Sequence, residues 1–394
     1  MQNFIYSNRT QIVFGQGTHC EIGKYLKKYT NRVLFHYGGG SIKRTGVYDR
    51  IIASLNENQI EYEELGGVCP NPRLSLVRRG IQLCREKNLT FILAVGGGSV
   101  LDSAKAIALG AVYDGDVWDF YTGKAVPEKS LQTAGVLTIP AAGSESSISS
   151  VITDEESGRK MACNDEVLRP VFSIIDPSLF LTLPKNQMAN GVCDMMSHIM
   201  ERYFTNTKDT EVIDAMSEGA LRAIMNNARK LNRNLKDQEA WTEIALAGNL
   251  AHNGIFGLGR EEDWGCHDME HELSARYDIP HGAGLAVLTP VWMRWACMRH
   301  LPIFVQFAVN VMGVSGSLRE EEAVAMEGIR RLEAFFCEIG LPVNLKQMGI
   351  DGSHLEEMAK KATGYCENGE KPLGNMEKLY WKDILSIYQA ALEK

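Results

Sequence analysis

The stretch FILAVGGGSVLDSAKAIA (residues 91–108) places an apolar run, a glycine turn and a helical pattern directly one after another. Glycines without a Cβ let the backbone approach a ligand closely, and the unpaired N–H groups at a helix start attract anionic oxygens. This order therefore resembles a phosphate cradle, although its spacing is not the G-x-G-x-x-G of the usual dinucleotide fold. By itself the stretch leaves two functions open, nucleotide binding or a simple reversal of the chain.

The same alternation of strand and helix continues on both sides of this stretch. Strand-like runs at residues 31–37, 60–66, 135–140 and 171–176 accompany helical patterns at 47–59 and 74–88. Such alternation predicts a parallel sheet covered on both faces. After residue 187 long segments with helical spacing follow, and no further strand is predicted. The sequence thus predicts an α/β dinucleotide-binding domain over residues 1–183 and an all-helical metal-binding domain over residues 184–394.

Composition narrows the classes of function. A chain of 394 residues exceeds what one core usually supports, and its net charge of −8 disfavours bulk electrostatic binding to nucleic acid or to anionic membrane. No apolar run is long enough to span a bilayer, and no charged n-region followed by an apolar core opens the chain, so a cytoplasmic protein is expected. Nine scattered cysteines without a C-x-x-C pair argue against a disulfide framework or a thiolate zinc site.

A second glycine turn, GGGSIKR (residues 38–44), follows the first strand of the alternating pattern. Sites that prefer NAD tend to place an Asp or Glu near the end of a strand, where it binds the ribose hydroxyls. This turn has no acid and ends in two cations, so a bound dinucleotide would be NADP rather than NAD. The alternative is an exposed loop with an ordinary solvated charge pair.

Candidate metal ligands gather in the helical half. Asp194 and His198 are spaced i and i+4, which puts them on one face of a helix, and three histidines, His267, His271 and His281, follow downstream. Carboxylate and imidazole without thiolate suit Fe²⁺, Zn²⁺ or a similar divalent ion, and the residue types do not choose among them.

The segment HDMEH (residues 267–271) also matches the H-x-x-E-H pattern of one class of zinc peptidase. In that interpretation His267 and His271 bind the metal and Glu270 is the general base. Such a short pattern has a high false-positive rate, and a peptidase would leave both glycine turns unexplained. We therefore expect a different role for these histidines.

Six motifs, in this order, resemble the iron-containing (group III) alcohol dehydrogenases. They are FGQG (14–17), PNPR (70–73), AVGGGSVLDSAKAIA (94–108), TIPAAGSESSISSVITDEESGRK (138–160), DPSLFLTLPKNQMANGVCDMMSHIMERY (176–203) and PHGAGLA (280–286). The resemblance covers essentially the whole chain and is strongest to the branch of NADPH-dependent butanol dehydrogenases and aldehyde reductases. It implies the dehydroquinate synthase-like fold, with an α/β nucleotide-binding domain followed by an all-α metal-binding domain.

The resemblance also implies roles for individual residues. It places the metal ligands at Asp194, His198, His267 and His281, and it makes His271 the catalytic residue that faces substrate and nicotinamide. The cofactor-binding positions form three groups: Gly38, Gly39 and Ser41 at the 2′-phosphate; Gly97, Gly98 and Ser99 at the pyrophosphate, with Asp102 just inside the helix; and Asn71, Thr138, Ser147, Lys160 and Thr182 elsewhere along the cofactor.

Two positions depart from the family pattern. Many relatives have Thr where this chain has Ala142, and HGAGLA replaces the commoner HGxANA after His281. Neither departure touches a proposed ligand, so they bear on cofactor affinity and substrate range.

The expected activity is reduction of short-chain aldehydes such as butanal to primary alcohols. NADPH would supply the hydride, and a divalent metal, Fe²⁺ before Zn²⁺, would polarise the carbonyl. The strand-like TQIVFG (residues 10–15) is expected to pair as an exposed edge in a homodimer.

Three alternative functions remain open from the residues alone. A lyase of the dehydroquinate synthase type would need a Lys and Arg cluster for its polyanionic substrate, and none accompanies residues 267–281. The other two are the peptidase and a non-catalytic metal- or nucleotide-binding module.

Overall fold

The computed structural model describes residues 1–316, 320–365 and 369–393. The strands are β1 (Gln11–Phe14), β2 (Arg32–Gly38), β3 (Glu61–Val68), β4 (Phe91–Gly96), β5 (Gln132–Leu137), β6 (Ser149–Asp154), β7 (Arg159–Asn164) and β8 (Phe172–Ile175). The α-helices are α1 (Ile22–Leu26), α2 (Ser41–Arg44), α3 (Val47–Glu57), α4 (Leu74–Glu86), α5 (Gly98–Ala111), α6 (Trp118–Tyr121), α7 (Lys185–Tyr203), α8 (Glu211–Arg233), α9 (Gln238–His252), α10 (Gly265–Tyr277), α11 (His281–Cys297), α12 (Leu301–Asn310), α13 (Glu321–Glu338), α14 (Leu355–Ala362) and α15 (Trp381–Glu393).

The chain forms two compact units. The sheet unit comprises Ser7–Leu183 and Leu235–Asn253, and the helical unit comprises Met1–Tyr6, Pro184–Asn234 and Gly254–Lys394. Pro184 therefore begins a segment of the helical unit, at the position where the sequence predicts the domain boundary. Residues 1–6, which the sequence assigns to the α/β domain, belong to the helical unit. Residues 235–253, which it assigns to the helical domain, belong to the sheet unit.

Helix α9 belongs to the sheet unit because its contacts are there. Its Trp241 ring lies 5.9 Å from the ring of Phe180, in the 3₁₀ helix Pro177–Thr182 that follows β8. Both rings are almost completely buried, so this contact removes a large apolar area from water. Further along α9, Asn249 Nδ2 donates to Glu145 Oε1 at 2.9 Å.

The sheet unit is built on a six-stranded sheet in the order β1-β8-β5-β4-β2-β3. Every neighbouring pair is parallel. All residues of the central strand β4 are buried, as expected when helices cover both faces of a parallel sheet. Parallel strands end at a common edge, so the turns after β2, β3, β4 and β5 lie side by side there.

Glycines bring helices α4 and α5 together over this sheet. A Cβ at Gly80 would lie 2.4 Å from Ile107 Cδ1, and a Cβ at Gly110 would lie 2.2 Å from Ile81 Cδ1. Neither distance leaves room for a side chain, so α5 is fixed close to α4 with its first turn at the carboxyl edge of the sheet.

Strands β6 and β7 form an antiparallel hairpin that the sequence does not predict. Their polar residues, such as Ser149, Ser150 and Lys160, do not give the apolar signal by which the other strands are recognised. The hairpin joins the segment after β3, because Thr153 N donates to Pro72 O at 2.8 Å.

The helical unit has two nearly fully buried helices, α7 and α11, at its core. An aromatic cluster packs beside them, with the Phe204 ring 4.8 Å from that of Phe304 and 5.7 Å from that of Trp292. Within the described residues, none of the helices combines the length and the apolar character needed to cross a membrane.

Candidate functional site

Three helices of the helical unit bring the predicted metal ligands together. Helix α7 carries Asp194 and His198, α10 carries His267, and α11 begins at His281. Asp194 Oδ1 lies 3.2 Å from His198 Nε2, 4.0 Å from His267 Nε2 and 3.8 Å from His281 Nε2. One donor atom from each of Asp194, His267 and His281 lies within 4.8 Å of the others.

The donor atoms of this cluster fit a divalent cation. One carboxylate and three imidazoles form an oxygen–nitrogen set suited to Fe²⁺ or Zn²⁺. Burial lowers the pKa of His198 below its ordinary value, against the opposing effect of the Asp194 carboxylate. The neutral imidazole is the form that binds metal, so burial favours the binding form.

Glu201 holds His267 and is a residue that the sequence analysis missed. Its Oε1 accepts from both the backbone N and the Nδ1 of His267, each at 3.0 Å. A histidine that donates Nδ1–H to a carboxylate presents Nε2 to a metal, which is a common arrangement around bound cations. Glu201 lies one turn after His198 on α7, and this i+3 spacing is the only sequence signal that could have identified it.

Trp264 is a second residue of the site that the sequence does not indicate, and its backbone has a left-handed conformation. Its φ is 66°, a left-handed conformation that bulky side chains rarely adopt outside strained or functional positions. Its ring lies 5.0 Å from that of His267 and 5.6 Å from that of His198, and the Arg202 guanidinium stacks on it at 4.6 Å. The indole thus forms one wall of the ligand cluster.

His271, the predicted catalytic residue, lies one turn beyond His267 on α10. Its ring stacks against that of His281 with 5.6 Å between centroids. The structure therefore brings His271 next to the ligand cluster, on the same side of α10 as His267.

The geometry differs from that of an H-x-x-E-H peptidase. Glu270, which would be the general base there, is completely buried and contacts His281 Nδ1. A base must reach the proton that it removes, and a carboxylate engaged in this way does not face an open side of the cluster.

Most of the predicted cofactor residues lie at or just beyond the carboxyl edge of the six-stranded sheet, and Lys160 lies in the separate hairpin. Gly38 ends β2, Asn71 follows β3, and Thr138 follows β5. Gly97 connects β4 to α5, which begins with Gly98 and Ser99. Ligands of open parallel sheets bind at this edge. Ser41 begins α2, Lys160 lies in β7, Thr182 ends the 3₁₀ helix after β8, and Gly39 lies between β2 and α2.

The turn into α5 is closed on one side by the loop after β5. A Cβ at Gly97 would lie 3.2 Å from Ile139 Cβ, and one at Gly98 would lie 3.4 Å from Ala142 Cβ. Thr138 N donates to Gly96 O at 2.9 Å, which ties this loop to the glycine turn. The loop therefore lies in close contact with the glycine turn, most tightly at Gly97.

Two charged side chains of α5 organise the same loop. Asp102 accepts from Ser144 Oγ at 2.5 Å and from Val151 N at 3.1 Å. Lys105 Nζ donates to Ser144 Oγ, to Ser147 Oγ and to the carbonyl oxygens of Ser147 and Ser149, at 2.8–3.1 Å. Burial raises the pKa of Asp102 and lowers that of Lys105 to about 8.

Comparison with known proteins identifies the family. The model of the iron-containing alcohol dehydrogenases matches residues 9–177, and the model of the C-terminal domain of the Fe-containing alcohol dehydrogenase family matches residues 188–392. The chain therefore belongs to the iron-containing alcohol dehydrogenase family, as its motifs indicate. Nothing in these matches supports the lyase or the peptidase.

Individual relatives are similar over their whole length. NADH-dependent butanol dehydrogenase A of Clostridium acetobutylicum is 42% identical over 99% of both chains. NADPH-dependent aldehyde reductase YqhD of Escherichia coli is 33% identical over 99% of this chain and 100% of that protein. The solved structure of NADH-dependent butanol dehydrogenase A from Thermotoga maritima superposes with a TM-score of 0.96 at 39% identity, covering 100% of this chain and 99% of that one.

Proposed function

We propose that this chain is a metal-dependent alcohol dehydrogenase and aldehyde reductase that transfers hydride between NADP(H) and short-chain aldehydes or primary alcohols such as butanal and butanol. The observation that carries the proposal is the cluster of Asp194, His267 and His281 donor atoms within 4.8 Å. The names of the related butanol dehydrogenases and of the aldehyde reductase support the same substrate class.

Each part of the chain has a distinct task in this proposal. Asp194, His198, His267 and His281 hold the cation, Fe²⁺ in the first instance and Zn²⁺ as the alternative. When bound, the cation polarises the carbonyl oxygen as a Lewis acid, and the nicotinamide supplies the hydride. His271, one turn from His267, faces the substrate, and the proton that the product alcohol requires arrives through His271 or through water. Reduction is the favoured direction, because NADP pools usually run reduced.

The sheet unit holds the cofactor through its carboxyl edge. Gly97, Gly98 and Ser99 offer backbone N–H groups at the start of α5 to the pyrophosphate. Asn71, Asp102, Thr138, Ser147, Lys160 and Thr182 contact the remainder of the cofactor. In this proposal the sheet unit binds the nucleotide and the helical unit binds the metal. The two units differ from the predicted domains, residues 1–183 and 184–394, at residues 1–6 and 235–253.

The residues at the end of β2 support a preference for NADP(H). Gly38, Gly39 and Ser41 offer no carboxylate to repel a 2′-phosphate, and the Lys43 ammonium stands 5.1 Å and 4.6 Å from the ring centroids of Tyr37 and Tyr48. The same ammonium lies 4.0 Å from Glu64 Oε2, so this cation is shared with a carboxylate, and the preference rests mainly on the absence of an acid at Gly38. The names of relatives differ on this point, since those at 42–43% identity are called NADH-dependent and the reductase at 33% is called NADPH-dependent.

The remaining parts of the proposal concern partners and location. We expect a cytoplasmic homodimer that acts on a small molecule and binds neither nucleic acid nor membrane. The eight cysteines in the described part of the chain are free thiols, which suits a reducing compartment.

One experiment tests the proposal directly. The purified chain is loaded with Fe²⁺ or Zn²⁺, its metal content is measured by elemental analysis, and oxidation of NADPH and of NADH is followed by absorbance with butanal as substrate. We expect one metal per chain, and turnover that depends on it and is faster with NADPH. Equal rates with and without metal would refute the metal-dependent mechanism, and faster turnover with NADH would overturn the cofactor preference.

A further inference from the structure

Glu270 is a buried carboxylate for which the proposed reaction has no direct use. It lies on α10 between His267 and His271 and is 0% exposed. A carboxylate without water must be compensated by hydrogen bonds, because an isolated buried charge is very costly. Its Oε2 accepts from His281 Nδ1, and its Oε1 accepts from Ser274 Oγ.

The contact with Glu270 fixes the tautomer and the orientation of the His281 ring. An imidazole that donates Nδ1–H to a carboxylate leaves the lone pair of Nε2 for a metal. That Nε2 is the atom that lies 3.8 Å from Asp194 Oδ1 in the ligand cluster. Glu270 therefore contacts His281 in the same way as Glu201 contacts His267. In each pair a carboxylate accepts from Nδ1 of the imidazole, on the side of the ring away from the ligand cluster.

Gly284, on the first turn of α11, makes room for this carboxylate. A Cβ at Gly284 would lie 2.7 Å from Glu270 Cγ and 2.8 Å from Glu270 Oε1, closer than real Cβ contacts allow. The backbone of Gly284 does not have a positive φ, so close approach alone requires the glycine. Position 284 is also one where HGAGLA departs from HGxANA, which has Ala there.

We propose that Glu270 is a positioning residue that fixes the tautomer and ring orientation of His281, and that residue 284 is glycine in order to admit it. The inference rests on the proposed role of His281 as a metal ligand. It explains two features that the reaction leaves unused, the acid of the H-x-x-E-H pattern and the departure at position 284.

Zn²⁺ affinity of the full chain, measured by competition with a chromophoric chelator, tests this inference. Loss of a hydrogen-bond partner behind a metal ligand typically lowers affinity by about 10- to 100-fold, and we expect that loss for Glu270→Ala. Glu270→Gln, which keeps the shape and an acceptor oxygen, should retain more affinity than Glu270→Ala. The thermal midpoint of each variant without metal controls for simple loss of stability.

A double-mutant cycle makes the test specific to the pair. Gly284→Ala should weaken Zn²⁺ binding by crowding Glu270, whereas adding Gly284→Ala to Glu270→Ala should cause no further loss, because the group it would strike is gone. Strict additivity of the two effects would overturn the assignment of Gly284. This arm also remains informative if Glu270→Ala fails to fold, since Gly284→Ala with parental Zn²⁺ affinity would contradict the inference.

His281→Ala separates this inference from the proposed function. If His281→Ala loses Zn²⁺ while Glu270→Ala and Glu270→Gln bind it as tightly as the parent, the positioning role is wrong and the ligand assignment stands. If His281→Ala also binds Zn²⁺ like the parent, the ligand assignment itself fails, and the inference fails with it.

Discussion

Gly38 is the residue at which the choice between the two nicotinamide cofactors can be tested. A Cβ added there would lie 3.4 Å from Val68 O and 3.8 Å from Val100 Cγ2, so a side chain is tolerated with a small adjustment. If NADP(H) is bound as proposed, a carboxylate at this position would repel the 2′-phosphate as a like charge. The backbone of Gly38 does not require glycine, because its φ is not positive.

We predict that Gly38→Asp lowers affinity for NADPH by about 10-fold or more, and that affinity for NADH changes much less. Binding of each cofactor to the purified protein can be measured by calorimetry or by nicotinamide fluorescence. Gly38→Asn has nearly the same shape without the charge and serves as the matched control. Equal losses for NADPH and NADH in the Asp variant would argue against a 2′-phosphate at this turn.

His36 makes the stability of the sheet unit depend on pH. It is fully buried in β2, with Nδ1 donating to Leu65 O at 2.8 Å and Nε2 accepting from Ser103 Oγ at 2.9 Å. Burial lowers the pKa of His36 from 6.5 to about 4. The folded chain keeps this imidazole neutral, whereas the unfolded chain protonates it below pH 6.5.

The contribution of His36 to stability is therefore present above pH 6.5 and is lost as the pH falls from 6.5 towards 4. A shift of this size corresponds to about 3 kcal/mol at the acid end. We predict that the parent loses more stability between pH 7.5 and about pH 4.5 than His36→Gln does, as judged by the midpoint of urea unfolding. Equal losses would mean that His36 is not the responsible group.

For single residues, the sequence identifies candidate metal ligands well, but it does not identify the residues that form hydrogen bonds with them. Asp194 and His198 are visible as a pair because helix periodicity connects them. The bond from His267 to Glu201 spans 66 positions, and no local pattern encodes a contact of that range. The H-x-x-E-H pattern singles out Glu270, but it does not indicate the contact with His281, which depends on the packing of α10 against α11.

Helix α10 carries two histidines, one turn apart, for which we propose different tasks. His267 is bound from behind by Glu201, whereas His271 stacks on His281 at 5.6 Å. If His267 is a ligand and His271 moves a proton, removal of His267 should abolish metal binding. Removal of His271 should slow the reaction and leave metal binding intact.

We predict that His267→Ala lowers metal affinity by more than about 100-fold, since even outer partners of a ligand are worth 10- to 100-fold. His271→Ala should keep its metal and lose about 10²- to 10⁴-fold in kcat, the usual contribution of a positioned acid or base. Elemental analysis of both variants and single-turnover rates with NADPH check this. Loss of metal from His271→Ala would show that the two roles have been misassigned.

Elements with a strong periodic pattern were predicted well. The parallel strands of the sheet and the helices between them are present within a few residues of the predicted ranges, because buried strands and amphipathic helices have distinct apolar spacing. The hairpin β6–β7 was missed because Ser149–Asp154 and Arg159–Asn164 are too polar to give that signal. Its pairing comes from backbone hydrogen bonds and a Gly158 turn with positive φ.

At the scale of the whole molecule, β1 forms one edge of the six-stranded sheet. Strand β1 is the first in the sheet order, so its outer side has no strand neighbour among the described residues. Gln11 N donates to Val171 O and Gly15 N donates to Ile175 O on the inner side. Backbone direction alternates along a strand, so the N–H of Ile12 points outward.

We predict a homodimer in solution that forms through this edge of β1. Ile12→Pro removes an outward N–H without breaking the bonds to β8, so it should shift the protein to monomer in sedimentation velocity. Ile12→Thr keeps the N–H and should remain dimeric. A monomeric parent, or a dimeric Ile12→Pro variant, would contradict pairing at this edge.

The division of the chain into units was only partly visible in the sequence. The change from alternating strands to helices near residue 184 marks where the helical unit resumes, because the periodicity of apolar residues changes there. Helix α9 has an ordinary helical pattern and lies far along the helical half of the sequence. Its place in the sheet unit depends on its packing against Phe180 and its bond to Glu145, which are contacts between distant segments.

The ligand cluster draws its donors from α7 and from the consecutive helices α10 and α11, which lie more than sixty positions further along the chain. A cation bound to all three helices would cross-link them in the folded chain, whereas the denatured chain lacks this arrangement of donor atoms. By mass action, binding to the folded state alone adds about 2.7 kcal/mol to the free energy of unfolding at a free cation concentration of 100 times Kd. The metal supply of the cell would then govern how long this protein survives as well as how fast it works.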